Sequence, residues 1–248
     1  MNLLLTNDDG YGSEGLSALA QKLSQKHNVF IIAPDGNRSA ISHGITMYKK
    51  NRVKLVEKNV WTCSGTPVDC VITALKSNIL PIRPDGILSG INKGANLGTD
   101  IVYSGTCAAA REGVIEGIPS VAFSLEYVDN KLEYFDVLAD FASKNIEKLL
   151  MCSDVQKEKT FVNVNAFSYP KYKGIRATKI LESRSYDDFV EYEDKDTFLE
   201  TSFRCGSLNH AVREDSDFDI AKKGFVAVSK VYALPMASEV VDCNQFSL

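Results

Sequence analysis

Short apolar runs alternate with helical patterns over the first 125 residues, and this alternation limits the fold more than any other feature. Buried strands are predicted over Asn2–Thr6, Val29–Ala33 and Asp85–Ser89. Apolar residues recur at helical spacing in Glu14–Lys26 and Ser104–Glu116. Because a helical crossover returns the chain to the same end of a sheet, such strands pair in parallel. We therefore predict an α/β fold in which helices cover both faces of a parallel sheet.

The rest of the chain adds further elements and a change of pattern near residue 160. The other predicted elements are a hairpin-like excursion at Met47–Thr62, helices at Thr66–Lys76, Leu132–Leu150 and Asp215–Lys222, and strands at Pro119–Phe123, Phe161–Asn165 and Gly224–Val231. After the change, Ile175–Tyr192 and Phe198–Arg204 are predicted to be extended, partly acidic hairpin arms. We predict a single domain over residues 1–248, in which residues 170–248 include an extended hairpin arm.

Composition and charge exclude several classes of partner. The chain is 44% apolar and 24% charged, and its net charge is −4. A groove for polymeric nucleic acid would leave a basic footprint, which the sequence lacks, so we expect no such partner. No run approaches the roughly 18 apolar residues of a membrane span, and the start lacks the pattern of a signal peptide. The missing apolar run leads us to expect no membrane partner. Since the six cysteines form no C-x-x-C pair, we predict a cytoplasmic protein with reduced thiols.

Two adjacent carboxylates, Asp8 and Asp9, directly follow the first predicted strand. Ligands of open α/β sheets bind beyond the carboxyl ends of the strands, where these side chains would lie. Adjacent carboxylates repel each other unless a cation lies between them, and hard oxygen ligands favour Mg²⁺, Mn²⁺ or Ca²⁺. The pair indicates a metal site, although Asn7–Gly10 also fits an Asx turn that merely caps the next helix.

A second polar segment, Pro34–Ala40, follows the second predicted strand. Within it, Ser39 could offer a neutral oxygen to the same cation, and Arg38 could face a phosphate. The segment is also rich in turn residues, and by itself this composition favours an ordinary surface loop.

The third polar segment, Ser89–Asp100, is the densest in glycine and asparagine. Glycine lets backbone amides approach an anion closely, and a helix beginning at Ser104 adds unpaired N–H groups and a favourable dipole. The hydroxyls of Ser104 and Thr106 could complete a phosphate cradle. Asn92 could bind the metal, and Asn96 could hold a phosphate oxygen. A functional loop is favoured here over a disordered one, because apolar residues recur within the segment.

Several established catalytic motifs are missing from the sequence. It contains no G-x-x-x-x-G-K-[ST] P-loop, no G-x-G-x-x-G after the first strand and no G-x-S-x-G nucleophile elbow. Its three histidines form no H-E-x-x-H pattern, which gives a zinc hydrolase little support. His43 lies close to Ser39 in sequence but is not assigned to the site.

The polar segments resemble the motifs of the SurE family of 5′/3′-nucleotidases. The similar stretches are LLTNDDGYGSEGL (4–16), APDGNRSAISHGIT (33–46), CSGTPVDCV (63–71) and SGINKGANLGTDIVYSGTCAAAREG (89–113). They are long, correctly ordered and cover most of residues 1–125, with a weaker match at Phe161–Asn165. The match weakens in the hairpin region 184–205 and at Val228–Leu234, where the family has a Ser-x-Thr-Pro-Leu segment.

The resemblance implies a Rossmann-like core that binds one divalent cation per subunit, Mg²⁺ or Mn²⁺, and removes phosphate from nucleoside monophosphates. Carried over by motif position, the metal ligands are Asp8, Asp9, Ser39 and Asn92, and the phosphate-binding residues are Asn96, Ser104, Gly105 and Thr106. Asp8 and Asp9 are also the predicted catalytic residues, since either could take a proton from the attacking water. The C-terminal part exchanges between subunits in this family, which implies a homodimer or homotetramer.

On this interpretation the chain is a 5′-nucleotidase that hydrolyses the phosphomonoester directly, with 3′-monophosphates as further candidate substrates. Another phosphoester or short polyphosphate is an alternative substrate. A nucleophilic aspartate is a second enzymatic alternative, but such phosphatases carry Asp-x-Asp, which the adjacent pair does not match. A receiver-like Mg²⁺-binding module is the alternative from a different class, although such modules are much shorter.

Overall fold

A computed structural model describes residues 1–182, 190–195, 197–203 and 212–235. The strands are β1 (Asn2–Thr6), β2 (Asn28–Pro34), β3 (Val53–Glu57), β4 (Val60–Cys63), β5 (Gly86–Lys93), β6 (Ser120–Glu126), β7 (Thr160–Phe167), β8 (Ile175–Ala177), β9 (Val190–Lys195), β10 (Phe198–Phe203) and β11 (Val226–Tyr232). The helices are α1 (Glu14–Leu23), α2 (Pro67–Lys76), α3 (Asp100–Tyr103), α4 (Gly105–Ile115), α5 (Phe135–Cys152) and α6 (Asp217–Lys222). Strands and helices alternate along most of the chain, which confirms the predicted α/β class.

Nine of the described strands form one sheet in the order β3-β4-β2-β1-β5-β6-β7-β11-β8. Six neighbouring pairs are parallel, and two pairs, β3 with β4 and β7 with β11, are antiparallel. The remaining two strands, β9 and β10, pair with each other as an antiparallel hairpin. The sheet is therefore mostly parallel rather than wholly parallel, because the predicted excursion at Met47–Thr62 and the C-terminal part each add an antiparallel pair.

Both faces of the sheet are buried, as the residues of β1 illustrate. Leu3 and Leu5 join one apolar cluster with α1 and α5, whereas Leu4 joins a second cluster with α2 and α4. Since successive side chains of a strand point to opposite faces, a strand covered on both sides is apolar at every position. No helix in the described part of the chain has the length and apolarity needed to cross a membrane.

Capping residues fix where the helices near the carboxyl edge of the sheet begin. The Thr66 hydroxyl accepts from the Asp69 N–H over 3.1 Å, and the Asp69 carboxylate accepts from the Thr66 N–H over 2.8 Å. With Pro67 at the first helical position, the predicted start of α2 is confirmed. Ser13 and Ser104 cap α1 and α4, each through a side-chain hydrogen bond to a backbone N–H three residues further on.

The structure departs from the predicted boundaries at two places close to the carboxyl edge. β5 continues to Lys93, so Asn92 lies within the strand, opposite Ser124 of β6, instead of in the loop beyond it. The short helix α3 forms inside the segment predicted as loop. A helix of one turn is too short to produce a recognisable apolar period, so α3 could not be predicted from the sequence.

The predicted hairpin arm over 170–248 lies only partly within the described residues. Strands β8, β9, β10 and β11 and helix α6 belong to it. Residues 183–189, 196, 204–211 and 236–248 of the predicted arm lie outside the described residues. A role of the arm in self-association stays a prediction.

The order of the strands reverses between β1 and β5. From β1 the chain continues to β2 and to the edge strands β3 and β4, and it then returns to β5 on the other side of β1. At such a switch point the loops that follow the two central strands diverge and leave a crevice at the carboxyl edge. All three polar segments of the sequence reach this edge.

Candidate functional site

A cavity of about 380 Å³ lies at the carboxyl ends of the central strands. Its lining residues are Asp8, Ser39, Ala40, Asn92, Lys93, Gly94, Ala95, Asn96, Asp100, Tyr103, Ser104, Glu126 and Tyr127. The lining includes five of the eight predicted site residues; the other three, Asp9, Gly105 and Thr106, directly follow a lining residue or lie within two residues of one. The fold thus brings the three polar segments to one cavity.

Asp8, which lies two residues beyond β1, lines the cavity although only 3% of it is exposed. The Thr106 hydroxyl donates a hydrogen bond to Asp8 Oδ1 and so joins the carboxylate to the first turn of α4. A Cβ atom at Gly105 would lie 2.9 Å from the Asp8 Cβ. Glycine at this position is therefore what allows the helix to approach the carboxylate so closely.

The two adjacent carboxylates are held in surroundings that oppose their ionisation. Burial raises the pKa of Asp8 to about 6; the Thr106 hydrogen bond opposes this rise, and the Asp9 charge adds to it. Burial also raises the pKa of Asp9, although the Lys93 N–H donates to Asp9 Oδ2 over 3.0 Å. Within the described ranges no lysine or arginine forms a salt bridge with either carboxylate. A cation bound between them would stabilise both charges.

The turn after β1 is stabilised by the side chain of Asn7 and not by those of Asp8 and Asp9. The Asn7 Nδ2 donates to the Gly10 carbonyl over 3.0 Å and to the hydroxyl of Ser13, the α1 cap, over 2.7 Å. Its Oδ1 accepts from the Gly10 N–H over 3.2 Å. The Asx turn considered as an alternative is therefore present, but it leaves the carboxylates of Asp8 and Asp9 available for another role.

The segment after β2 brings Ser39 to the cavity. The Arg38 N–H donates to the Asp8 carbonyl over 2.7 Å, which ties this segment to the residues after β1. The Arg38 side chain donates to Asp35 Oδ1 over 2.8 Å and to the Ser64 carbonyl over 3.2 Å, and the residue does not line the cavity. The guanidinium therefore stabilises the loop instead of facing a bound anion.

His43 takes part in a side-chain contact that the sequence analysis did not foresee. Its Nε2 lies 3.0 Å from Glu112 Oε2 on α4. One residue earlier, the Ser42 hydroxyl donates to the Val102 carbonyl of α3 over 2.7 Å. These contacts hold the segment that carries Ser39 against the two helices that follow the third polar segment. His43 and Glu112 are 69 positions apart in the chain, so no local sequence pattern reveals the contact.

Asn92 and Asn96 both line the cavity, but their surroundings differ. Asn92 Nδ2 donates to the Gly94 carbonyl over 2.8 Å and so stabilises the turn at the end of β5. Asn96 is 5% exposed, and its Nδ2 donates to the Ser124 hydroxyl of β6 over 2.7 Å. Each amide is thus oriented by a neighbour and keeps polar capacity beyond that one contact.

The start of α4 borders the cavity at Ser104. The Ser104 hydroxyl accepts from the Cys107 N–H over 2.9 Å, so the side chain already caps the helix. The first-turn N–H groups and the helix dipole make such a terminus attractive to an anion. The hydroxyl of Thr106 is used by Asp8.

The donors gathered here fit a hard divalent cation. Two carboxylates, a serine hydroxyl and an amide oxygen are all oxygen ligands, which suit Mg²⁺ or Mn²⁺ better than a soft metal. In the described ranges no three histidine, cysteine, aspartate or glutamate side chains cluster in a way that could hold a metal ion. A cation here would therefore depend on Ser39, Asn92 and water to complete the ligand set of Asp8 and Asp9.

Two buried asparagines of β7 contact the cavity loop and were missed by the sequence analysis. Asn163 is 0% exposed and Asn165 is 2% exposed, and both form hydrogen bonds with the backbone of Asn96. A signal for them was present, since two asparagines at alternate positions of an otherwise apolar strand call for buried polar partners.

The fold and the cavity together define a class of protein. It is a doubly wound α/β protein with an acidic, oxygen-rich pocket and a helix N-terminus at the switch point of its sheet. Proteins of this architecture bind phosphate-bearing ligands at this place.

Comparison with known proteins identifies the family. The family described as "Survival protein SurE" matches residues 3–187. A protein named 5′-nucleotidase SurE from Clostridium botulinum is 36% identical over 241 residues, covering 94% of this chain and 93% of the relative. Another with that name, from Treponema pallidum, is 46% identical over 177 residues, covering 69% of this chain and 93% of the relative. The crystal structure of the SurE protein from Aquifex aeolicus has a TM-score of 0.80 at 33% identity and covers 95% of each chain.

This chain belongs to the SurE family, which confirms the resemblance stated from the motifs. The agreement with the solved structure also confirms the predicted α/β architecture. The curated relatives carry the name of an enzyme, 5′-nucleotidase, which is the enzyme class predicted from the sequence.

Proposed function

We propose that this protein is a divalent-cation-dependent phosphatase that hydrolyses nucleoside 5′-monophosphates to nucleoside and phosphate, with 3′-monophosphates as further candidate substrates. The observation that supports it most is the adjacent pair Asp8 and Asp9 beside the start of α4, of which Asp8 is buried and lines the cavity of about 380 Å³. Membership of a family whose curated members are named 5′-nucleotidase supports the same reaction.

The cation would be held by Asp8, Asp9, Ser39 and Asn92, and Mg²⁺ and Mn²⁺ are the candidates. When bound, it supplies Lewis acidity, which draws charge from a phosphate oxygen and makes a water molecule easier to deprotonate. Burial raises the pKa of Asp8 to about 6, and the charge of Asp9 adds to this rise; a bound cation would offset both effects.

The phosphate group would be held by Asn96, Ser104, Gly105 and Thr106. The N–H groups at the start of α4 stabilise negative charge on the phosphoryl oxygens, which is the main need in phosphoryl transfer. Asp8 or Asp9 accepts a proton from the attacking water, whose oxygen forms the new bond to phosphorus. The bond from phosphorus to the ribose oxygen breaks, and that oxygen gains a proton, so nucleoside and inorganic phosphate leave.

Phosphate release from a panel of nucleoside 5′- and 3′-monophosphates, with Mg²⁺, Mn²⁺ or EDTA, tests this proposal. We expect turnover with either cation, none with EDTA, and a loss of at least about a thousandfold in kcat for Asp8→Asn, because the variant removes a metal ligand and a candidate base. Asp85→Asn is the matched control, since this exposed carboxylate lies just before β5, at the opposite edge of the sheet.

Full metal-dependent turnover by Asp8→Asn would contradict the assignment of this residue. The protein could release phosphate from another phosphoester or from short polyphosphate but from no nucleotide. That result would support a phosphatase reaction with a different substrate. Metal binding without multiple turnover on any of these would indicate a binding module.

We also propose that the protein works in the cytoplasm as a homodimer or homotetramer. The first part rests on the four described cysteines, all of which are free thiols. The second part rests on the family resemblance of the C-terminal arm.

A further inference from the structure

The side chain of Asn165 on β7 forms hydrogen bonds with both backbone polar groups of Asn96. Its Oδ1 accepts from the Asn96 N–H over 2.8 Å, and its Nδ2 donates to the Asn96 carbonyl over 3.1 Å. The side-chain amide thus pairs with the backbone of the cavity loop much as a neighbouring strand would. Since Asn165 is 2% exposed, water cannot readily replace it.

Asn163, two residues earlier on β7, joins the same loop to α4. Its Nδ2 donates to the Asn96 carbonyl over 2.9 Å, and its Oδ1 lies 3.7 Å from the Cys107 Sγ, which donates to it. Cys107 also gives its N–H to the Ser104 cap. One fully buried side chain therefore contacts both parts of the proposed phosphate site, the loop at Asn96 and the first turn of α4.

A further contact fixes the loop two residues beyond Asn96. The Gly98 N–H donates to Asp217 Oδ2 over 2.8 Å, and Asp217 is 1% exposed. With the backbone held at two points and Nδ2 bonded to Ser124, little freedom remains for the Asn96 side chain.

We propose that Asn163 and Asn165 are positioning residues for phosphate binding: they hold the backbone of Asn96 and set its distance from the start of α4. The inference rests on the proposed function, because it assumes that Asn96 and the first turn of α4 bind the phosphate. Neither residue lines the cavity, so they act through Asn96.

An amide suits these two positions better than any isostere. An aspartate at 165 would still accept from the Asn96 N–H but would place a buried charge against its carbonyl. A leucine at 165 would leave the Asn96 N–H unpaired in the core, and the Asn96 carbonyl would keep only the hydrogen bond from Asn163. The inference therefore predicts that even the isosteric Asn165→Asp weakens phosphate binding.

The experiment measures two ligands separately in Asn163→Ala, Asn165→Ala and Asn165→Asp. Inorganic phosphate is titrated by calorimetry in the presence of Mg²⁺, and Mn²⁺ alone is titrated by electron paramagnetic resonance. We expect phosphate affinity to fall about tenfold or more, as the loss of buried hydrogen bonds would produce, while Mn²⁺ affinity changes less than about twofold. Asn145→Ala is the matched control, because this half-buried asparagine bonds within α5, which contributes no residue to the cavity.

A double-mutant cycle with Asn96→Ala separates positioning from general damage to the fold. If Asn165 acts through the Asn96 side chain, Asn165→Ala should cost little further phosphate affinity once that side chain has been removed. A general loss of structure would instead lower phosphate affinity in both backgrounds and Mn²⁺ affinity along with it. Should Asn165→Ala not fold, two milder variants should change phosphate affinity in the same direction. Asn163→Ala removes one hydrogen bond to the Asn96 backbone where Asn165→Ala removes two, and Asn165→Ser keeps a polar side chain at the position.

The wild-type protein could release phosphate from nucleotides while the Asn163 and Asn165 variants bind phosphate as tightly as Asn145→Ala does. That result would overturn the positioning role and leave the proposed function intact. Parallel losses of phosphate and Mn²⁺ affinity would also overturn the positioning role. A wild-type protein that neither binds phosphate nor turns over any nucleotide would overturn the proposed function, and the positioning role with it.

Discussion

At the scale of single residues, Asp8 makes the stability of the metal-free protein depend on pH. Burial raises its pKa from 3.8 to about 6, so the folded state binds the proton more tightly than the unfolded state does. Stability is therefore highest below the unfolded value and falls as the pH rises from about 4 to 6. At about 1.4 kcal/mol per pKa unit, the ionised carboxylate destabilises the metal-free fold by roughly 3 kcal/mol above that range.

In EDTA, Asp8→Asn should be more stable than the wild-type protein at pH 8, by about 1–3 kcal/mol, because the amide carries no charge to bury. The difference should shrink as the pH is lowered through 6 toward 4. Urea denaturation across this pH range measures the difference, with Asp85→Asn, which replaces an exposed carboxylate outside the cavity, measured beside it as the control. A stability difference that is independent of pH would contradict the raised pKa.

Motif residues were predictable one by one, but the directions of their side chains were not. The sequence identified Asp8, Ser39 and Asn96 as cavity residues because their segments follow strands and match a family pattern. It could not tell that the hydroxyl of Thr106 donates to Asp8, or that Arg38 turns toward Asp35. Those contacts join distant segments, and no local spacing encodes them.

At the scale of elements, the loop between β5 and α3 contains two glycines that differ in the space around them. Gly98 has a φ of +52°, and a Cβ there would lie 1.2 Å from the Glu182 carbonyl oxygen. Gly94 has a φ of +106°, and a Cβ there would meet nothing within 4 Å. The first position thus combines an unfavourable backbone conformation with a steric block, whereas the second has the conformation alone.

Gly98→Ala should lower the free energy of unfolding by more than about 4 kcal/mol or displace the loop from Glu182, because the backbone cannot yield without breaking packed contacts. Gly94→Ala, the matched control, should cost only roughly 1–2 kcal/mol for the backbone conformation. Urea denaturation of both variants makes the comparison. Equal losses would show that the contact with Glu182 is unimportant.

Element types followed from the sequence more reliably than the ends of the elements near the site. Buried strands such as β1 carry consecutive apolar residues, here Leu3–Leu5, which makes them visible without knowledge of the fold. The extension of β5 through Asn92 was not visible, because glycine and asparagine favour loops and the pairing with β6 overrides that preference. The partners of Asn163 and Asn165 were hidden because their contacts lie 67 and 69 residues away in the chain.

At the scale of the whole molecule, β9 and β10 are the two described strands that lie outside the main sheet. They form a two-stranded sheet of their own, whereas the other nine described strands share one sheet. An isolated two-stranded hairpin is marginally stable in water, so it needs further support. The family resemblance implies that a second subunit provides this support.

Replacing Val190–Phe203 with a short Gly-Ser linker should therefore shift the protein from a dimer or tetramer toward the monomer. Light scattering after size-exclusion chromatography measures the mass, and far-ultraviolet circular dichroism checks that the sheet is retained. A variant that keeps the mass of the wild-type assembly would assign self-association to another surface. A wild-type protein that is itself monomeric would contradict the predicted assembly.

The contact between β7 and the loop of Asn96 sets an order in which the pocket is completed while the chain is being synthesised. The proposed cation ligands all lie within the first 92 residues, whereas β7 begins only at Thr160. Because a ribosome delivers the chain from its N-terminus, the acidic pair emerges well before the strand that steadies the phosphate loop. The residues proposed to bind the cation are thus synthesised first, and the loop proposed to bind phosphate can gain its contacts with Asn163 and Asn165 only when translation has passed the middle of the chain.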